Sequence, residues 1–205
     1  MKRFTNICFI TPDGLRQDKL IETVTLILNS GIKWIQYRNK QGARKDIYYN
    51  AMRLRELTTA FDAFLTINDY PDIALAVDAD GVHLGQEDLP LKEARKIMGA
   101  KIIGISTHDL NQALQAEKDG ADYIGFGPVF HTTTKDAGQP RGLSVLREVV
   151  VSIKIPVIAI GGINIHNVKA VFEQGCYGVA VSSGLLGYDI AHTARTFRLN
   201  AESIR

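Results

Sequence analysis

The chain has 205 residues, 45% hydrophobic and 22% charged, and its 24 Lys and Arg against 22 Asp and Glu leave a net charge of +2. That length holds one sizeable core, the composition is that of a globular chain rather than a disordered one, and so small a charge directs no field at nucleic acid or an anionic membrane. No apolar run approaches the ~18 residues of a membrane span, and MKRFTNICFITPDG lacks the apolar core and cleavage site of a secretory signal, so a cytoplasmic protein is expected.

In chain order, short runs rich in β-branched and aromatic residues alternate with helical patterns. Strands are predicted at NICFIT (6–11), WIQYR (34–38), FLTIN (64–68), GVHLG (81–85), KIIGIST (101–107), YIGFGPV (123–129), PVIAIG (156–161) and GVAVSS (178–183). Helices are predicted between them at 17–29, 44–60, 72–78, 91–98, 109–118, 143–152 and 165–174, with a last one over about 187–200. Continuous apolar strands such as PVIAIG imply burial on both faces, as in a parallel sheet. Alternation with helices implies right-handed βαβ crossovers. Eight strands and eight helices at roughly 25 residues per unit fit a single-domain (β/α)8 barrel. The alternative, an open doubly wound sheet, is disfavoured because TPDGLRQD after the first strand holds no G-x-G-x-x-G loop. No linker or low-complexity stretch divides the chain. Cys8 and Cys176 each lie in an apolar segment, which suits buried free thiols.

In such a barrel the site forms at the C-terminal strand ends. Strand 2 ends in Gln36, Arg38 and Lys40, whose two cations at alternate positions suit an anion. Strand 3 ends in Asn68-Asp69, and strand 4 leads into Asp88. Each of these is either a helix cap or a ligand. Two carboxylates on neighbouring strands, facing Arg38 and Lys40, favour Mg2+ with a pyrophosphate group. His83, inside GVHLG, reads as a satisfied interior histidine. Strand 5 ends in Ser106-Thr107-His108: a cap before Asp109, or a hydroxyl for a leaving phosphate with a proton-transfer histidine.

Beyond strand 6, GFGPVFHTTTKDAGQPRGL places Thr132, Thr133, Thr134 and Lys135 together. Strand 7 ends in Gly161-Gly162-Ile163-Asn164 and strand 8 in Ser182-Ser183-Gly184, each expected directly before a helix whose free N–H groups face an anion. Two anion sites follow. One is cationic and metal-assisted, on strands 2 to 5. The other is built of amides and hydroxyls, on strands 6 to 8. Two phosphorylated small-molecule substrates, one losing pyrophosphate, match that arrangement. The exposed helix faces are too mixed to decide between monomer and homodimer.

The blocks IQYRNK, INDYPDIALAVDADGVHLGQEDLP, IIGISTHDLNQALQAEKDGADYIGFGPVFHTTTK, IPVIAIGGI and GVAVSSGLL resemble, in order over residues 6 to 187, the thiamine-phosphate synthase family. The resemblance implies a Mg2+-dependent transferase that joins a pyrimidinylmethyl diphosphate to a thiazole phosphate with release of pyrophosphate. It implies that Gln36, Arg38, Lys40, Asn68, Ser106 and Lys135 hold the pyrimidine diphosphate. Asp69 and Asp88 would carry Mg2+, and Thr132, Thr134, Gly162, Ser182 and Ser183 would hold the thiazole phosphate. Lys135, Arg38, Lys40 and Ser106 are the implied catalytic residues. Alternation along the loop turns Thr132 and Thr134 to one ligand and Thr133 away.

Three positions depart from the family pattern. Asn39 stands for an acid, Tyr70 for an arginine and His131 for a proline. The first two together read as one compensated loss of an ion pair. The departures keep two alternatives open: a thiazole tautomerase of the same fold with His108 as its proton-transfer group, and a silent thiazole-phosphate-binding protein. Retention of Asp69, Asp88 and Lys135 favours the synthase.

Overall fold

Each strand sorts its residues between two layers. The computed structural model describes residues 4–132, 138–186 and 189–202. Within them, β1 (Ile7–Ile10), β2 (Trp34–Tyr37), β3 (Phe64–Asn68), β4 (Gly81–Leu84), β5 (Ile102–Thr107), β6 (Tyr123–Phe126), β7 (Val157–Ile160) and β8 (Gly178–Val181) pair in parallel and in sequence order. β8 returns to β1, with Cys8 opposite Ala180, and closes the barrel. Successive strand residues point to opposite faces. One parity (Cys8, Ile10, Trp34, Phe64, Ile102, Tyr123, Ile158, Ala180) fills the barrel, while the other (Phe9, Ile35, Leu65, Val82, Ile103, Ile124, Ala159, Val179) packs under the helices. The expected (β/α)8 barrel is therefore the observed fold.

The helices are α1 (Gln17–Asn29), α2 (Arg44–Ala60), α3 (Pro71–Ala76), α4 (Leu91–Met98), α5 (Leu110–Asp119), α6 (Gly142–Ser152), α7 (Val168–Phe172) and α8 (Ile190–Glu202). α1 buries Leu20, Val24, Ile27 and Leu28, a stripe at helical spacing. α2 does the same with Ile47, Ala51, Leu54 and Thr58. Both occupy the spans the periodicity predicts. α7 is shorter than 165–174 because the asparagines preceding it tie up the chain in turns. Asn167 Oδ1 accepts from Asn164 N at 2.8 Å, and Asn164 Oδ1 accepts from His166 N at 2.9 Å. A 3-10 turn over Ser183–Leu185, rather than α8 itself, follows β8. Gly162 and Ser182 thus open onto tight turns instead of onto long helices.

Both cysteines are buried free thiols, as expected. Burial raises the Cys8 pKa well above its usual value and pushes Cys176 up to about 12. No helix among the described residues is long and apolar enough to cross a membrane.

Candidate active site

At the C-terminal mouth the inward parity runs out to Arg38, Asn68, Gly85, Ser106, Gly125 and Ser182, while β1 and β7 end in Ile10 and Ile160. There the structure opens a cavity of about 360 Å³. Arg38, Ser106, Thr132, Gly162, Ser182 and Ser183 line it together, six of the positions chosen from strands 2, 5, 6, 7 and 8. Apolar walls come from Ile10, Ile160, Ile163 and Val181. Gly162 has φ of +64°, and a Cβ there would lie 2.4 Å from the His131 carbonyl oxygen. Only glycine brings the chain through this turn. Thr133, Thr134 and Lys135 lie outside the described residues.

Beside the cavity, β2, β3 and β4 carry a connected polar network. Gln36 Nε2 donates to Asn68 Oδ1 at 2.8 Å, Asn68 Nδ2 donates to Asp69 Oδ1 at 2.5 Å, and Lys40 Nζ lies 3.2 Å from Asp69 Oδ2. Gln36 is only 3% exposed, so it reaches the site through Asn68. Asp69 has φ of +68°, a left-handed conformation that Asp tolerates better than most side chains, and its N–H donates to the His83 carbonyl across to β4. Burial raises the Asp69 carboxyl above the usual carboxylate range. The Asp88 carboxyl adds to the rise and Lys40 opposes it.

The capping alternatives fall away for both carboxylates. The N-cap of α3 is Tyr70 and that of α4 is Pro90, each without a side-chain cap bond. Asp88 Oδ2 instead accepts from Gly85 N at 2.6 Å. Asp69 and Asp88 thus form a crowded pair of hard oxygen donors whose repulsion a divalent cation would relieve. Among the described residues no group of three or more His, Cys, Asp and Glu gathers as a metal cage. A Mg2+ ion here would need water and substrate oxygens to complete its shell, which is how Mg2+ is commonly bound.

On β5, the helix cap is Asp109, whose side chain accepts from Gln112 N at 2.8 Å. Ser106 and His108 are therefore free of that task. His108 lines the cavity with its Nδ1 2.6 Å from the Gly127 carbonyl. A carbonyl only accepts, so Nδ1 carries the proton. His83, 7% exposed, is a satisfied interior histidine between Tyr123 and Ser106.

Two residues of the first strand's loop escaped the sequence reading. Asp13 Oδ2 accepts from Arg38 Nη1 at 2.9 Å, and its Oδ1 accepts from Lys40 N at 2.7 Å. Thr11 Oγ1 accepts from Arg38 N and donates to Arg38 O. Position was the available signal, since TPDG follows a strand end like the others.

The departures also resolve. Asn39 Oδ1 accepts from Gly42 N at 2.8 Å and Gln41 N at 3.2 Å, closing its own loop. The Tyr70 ring lies under the Arg44 guanidinium, 4.9 Å from ring centroid to Cζ. The two side chains serve separate partners. His131 lines the cavity rim.

Comparison with known proteins places the chain in a family. Residues 7–185 fit the family model described as thiamine monophosphate synthase. The thiamine-phosphate synthase of Halalkalibacterium halodurans is 44% identical over 192 residues, covering 92% of this chain and 91% of that protein. That of Caldicellulosiruptor saccharolyticus is 48% identical over 171 residues, covering 82% and 77%. The solved structure of thiamine phosphate pyrophosphorylase from Pyrococcus furiosus superposes with a TM-score of 0.89 at 41% identity, covering 97% of this chain and 96% of that one. A family-model match over residues 7–185, together with a shared fold at 41% identity, identifies this protein as a member of the thiamine monophosphate synthase family.

Proposed function

We propose that this chain couples 4-amino-2-methyl-5-(diphosphooxymethyl)pyrimidine with 4-methyl-5-(2-phosphooxyethyl)thiazole, giving thiamine phosphate and pyrophosphate. The observation that carries the reading is the division of the barrel mouth. A cavity lined by glycine and hydroxyl groups on β6 to β8 adjoins a lysine–carboxylate network on β2 to β4, with Arg38 and Ser106 facing the cavity between them.

In this reading Arg38, Lys40 and Ser106 grip the diphosphate, the first two as cations and the third through its hydroxyl. Asn68, backed by Gln36, orients the Asp69 carboxylate. Thr132, Gly162, Ser182 and Ser183 hold the thiazole phosphate, and Thr134 and Lys135 join their respective groups on the strength of the family resemblance. The bond from the pyrimidinylmethyl carbon to the diphosphate oxygen breaks with its electron pair leaving on pyrophosphate. The thiazole nitrogen lone pair then forms the new carbon–nitrogen bond. Walls built by Ile10, Ile160, Ile163 and Val181 keep water from the electron-deficient carbon. Asp69 and Asp88 would hold Mg2+, which supplies positive charge to the departing diphosphate when bound.

The tautomerase alternative uses only the cavity half and leaves the Lys40–Asp69–Asp88 arrangement without a task. The test is pyrophosphate release by the purified chain with both substrates and Mg2+. Release that needs the thiazole phosphate and stops with EDTA supports the coupling. Folded protein that releases none, yet aromatises a thiazole carboxylate phosphate, overturns it.

A further inference from the structure

A buried hydrogen-bonded line runs beneath the cavity. Tyr123 lies inside the barrel at 1% exposure, and its hydroxyl is 2.9 Å from His83 Nδ1. His83 Nε2 is in turn 2.9 Å from Ser106 Oγ, which lines the cavity. The neighbouring strands leave room for both rings. Gly104 sits opposite Tyr123 in the β5–β6 register, and a Cβ there would lie 2.0 Å from the tyrosine Cζ. A Cβ at Gly125 would lie 3.1 Å from His83 Cε1. Two strand positions without side chains therefore form a fitted niche for the pair.

The direction of the line follows from counting protons. The Tyr123 hydroxyl has one proton, and among the described residues its hydrogen-bond partner is His83 Nδ1. If Nδ1 were the donor, the fully buried phenol would keep a proton with no acceptor, a costly arrangement. Tyr123 therefore donates to Nδ1, which leaves the imidazole proton on Nε2. Nε2–H then donates to Ser106 Oγ. An oxygen that already accepts from below has its own proton left to give, and the cavity lies on its open side.

We propose that Tyr123 and His83 are positioning residues that set the Ser106 hydroxyl as a hydrogen-bond donor toward an anionic oxygen of the substrate. The inference rests on the reading of Ser106 as a diphosphate contact. It adds that the orientation is imposed from the barrel interior, with the His83 tautomer as the element that transmits it.

Nitrogen-15 NMR of the full chain labelled at histidine tests the order directly, with His83→Gln assigning the signal. The expected result is a neutral His83 ring protonated at Nε2 and bare at Nδ1. Tyr123→Phe leaves Nδ1 without the donor that fixes the tautomer, so the Ser106 hydroxyl is no longer held in one direction and kcat/KM for coupling falls about five- to tenfold. His83→Gln, whose amide nitrogen can occupy the place of Nε2, retains most activity, whereas His83→Leu does not. A wild-type ring protonated at Nδ1, full kcat/KM in Tyr123→Phe, or a Gln variant no better than Leu overturns the proposal. Full coupling by Ser106→Ala also overturns it. A wild-type protein with the expected tautomer but no coupling activity establishes the proton order and overturns the proposed reaction instead.

Discussion

Lys40 Nζ lies 3.2 Å from Asp69 Oδ2, yet the net effect of its surroundings is to raise the Asp69 pKa. Burial dominates, Asp88 adds to it, and the lysine compensates only in part. A carboxyl whose folded pKa exceeds its unfolded one costs stability when ionised. That cost is absent below the usual value of 3.8, grows as pH rises through the folded value, and is fully present at neutral pH. Asp69→Asn is therefore expected to raise the Tm of the metal-free protein at pH 7, with the gain shrinking toward pH 4, while coupling falls by roughly a hundredfold or more. Mg2+ at ten times its Kd should stabilise the wild type by about 1.4 kcal/mol and the variant hardly at all. Thermal melts with and without Mg2+ read both. An Asn variant that is less stable at pH 7, or equally stabilised by Mg2+, sinks the account.

Asp13 grips both Arg38 and the Lys40 backbone from the loop after β1. Losing it frees a guanidinium that is only 15% exposed and unties the strand-2 loop. Asp13→Ala is expected to raise KM for the pyrimidine diphosphate roughly tenfold while the KM for thiazole phosphate stays near its wild-type value. Steady-state kinetics with each substrate varied in turn checks this. Equal changes in the two constants would assign Asp13 to general stability.

Gly162→Ala meets two obstacles, a positive φ and the His131 carbonyl 2.4 Å from the new methyl. The expected cost is about 1–3 kcal/mol of stability. On the proposed placement of Gly162 at the thiazole phosphate the turn must move, so that substrate's KM should rise roughly tenfold. Urea titration and kinetics measure the two effects. A variant with wild-type affinity for thiazole phosphate removes the turn from the binding site.

His108 offers Nε2 to the cavity, because its Nδ1–H is held by Gly127. Coupling as proposed asks no proton transfer of it. His108→Ala should keep kcat within about fivefold, the loss of one hydrogen bond. Complete loss of turnover in a folded variant would move proton transfer, and with it the tautomerase chemistry, back to this residue.

The sequence read alone conveyed the elements and the chemistry stationed at their ends. Strand runs such as FLTIN and helix stripes such as Leu20, Val24, Ile27 and Leu28 are local signals, because side-chain direction repeats every 2.0 or 3.6 residues along a single segment. Eight such units implied a barrel, and a barrel implied where to look. Arg38, Ser106, Thr132, Gly162, Ser182 and Ser183 were legible for that reason, and they do meet in one cavity. The short α7 was less legible, because the Asn164–Asn167 hydrogen bonds compete with the helical pattern that surrounds them.

Tertiary structure decided the pairings. Asp69 and Asp88 were equally good helix caps on paper. Only the positions of Tyr70 and Pro90 at the true N-caps released them to face each other. Gln36 and Asn68 are 32 residues apart, Asp13 and Arg38 are 25 apart, and His83 and Tyr123 are 40 apart. Each contact depends on parallel register, on which parity faces inward, and on β8 closing against β1. Those are properties of the assembled sheet, and no periodicity within one strand encodes them.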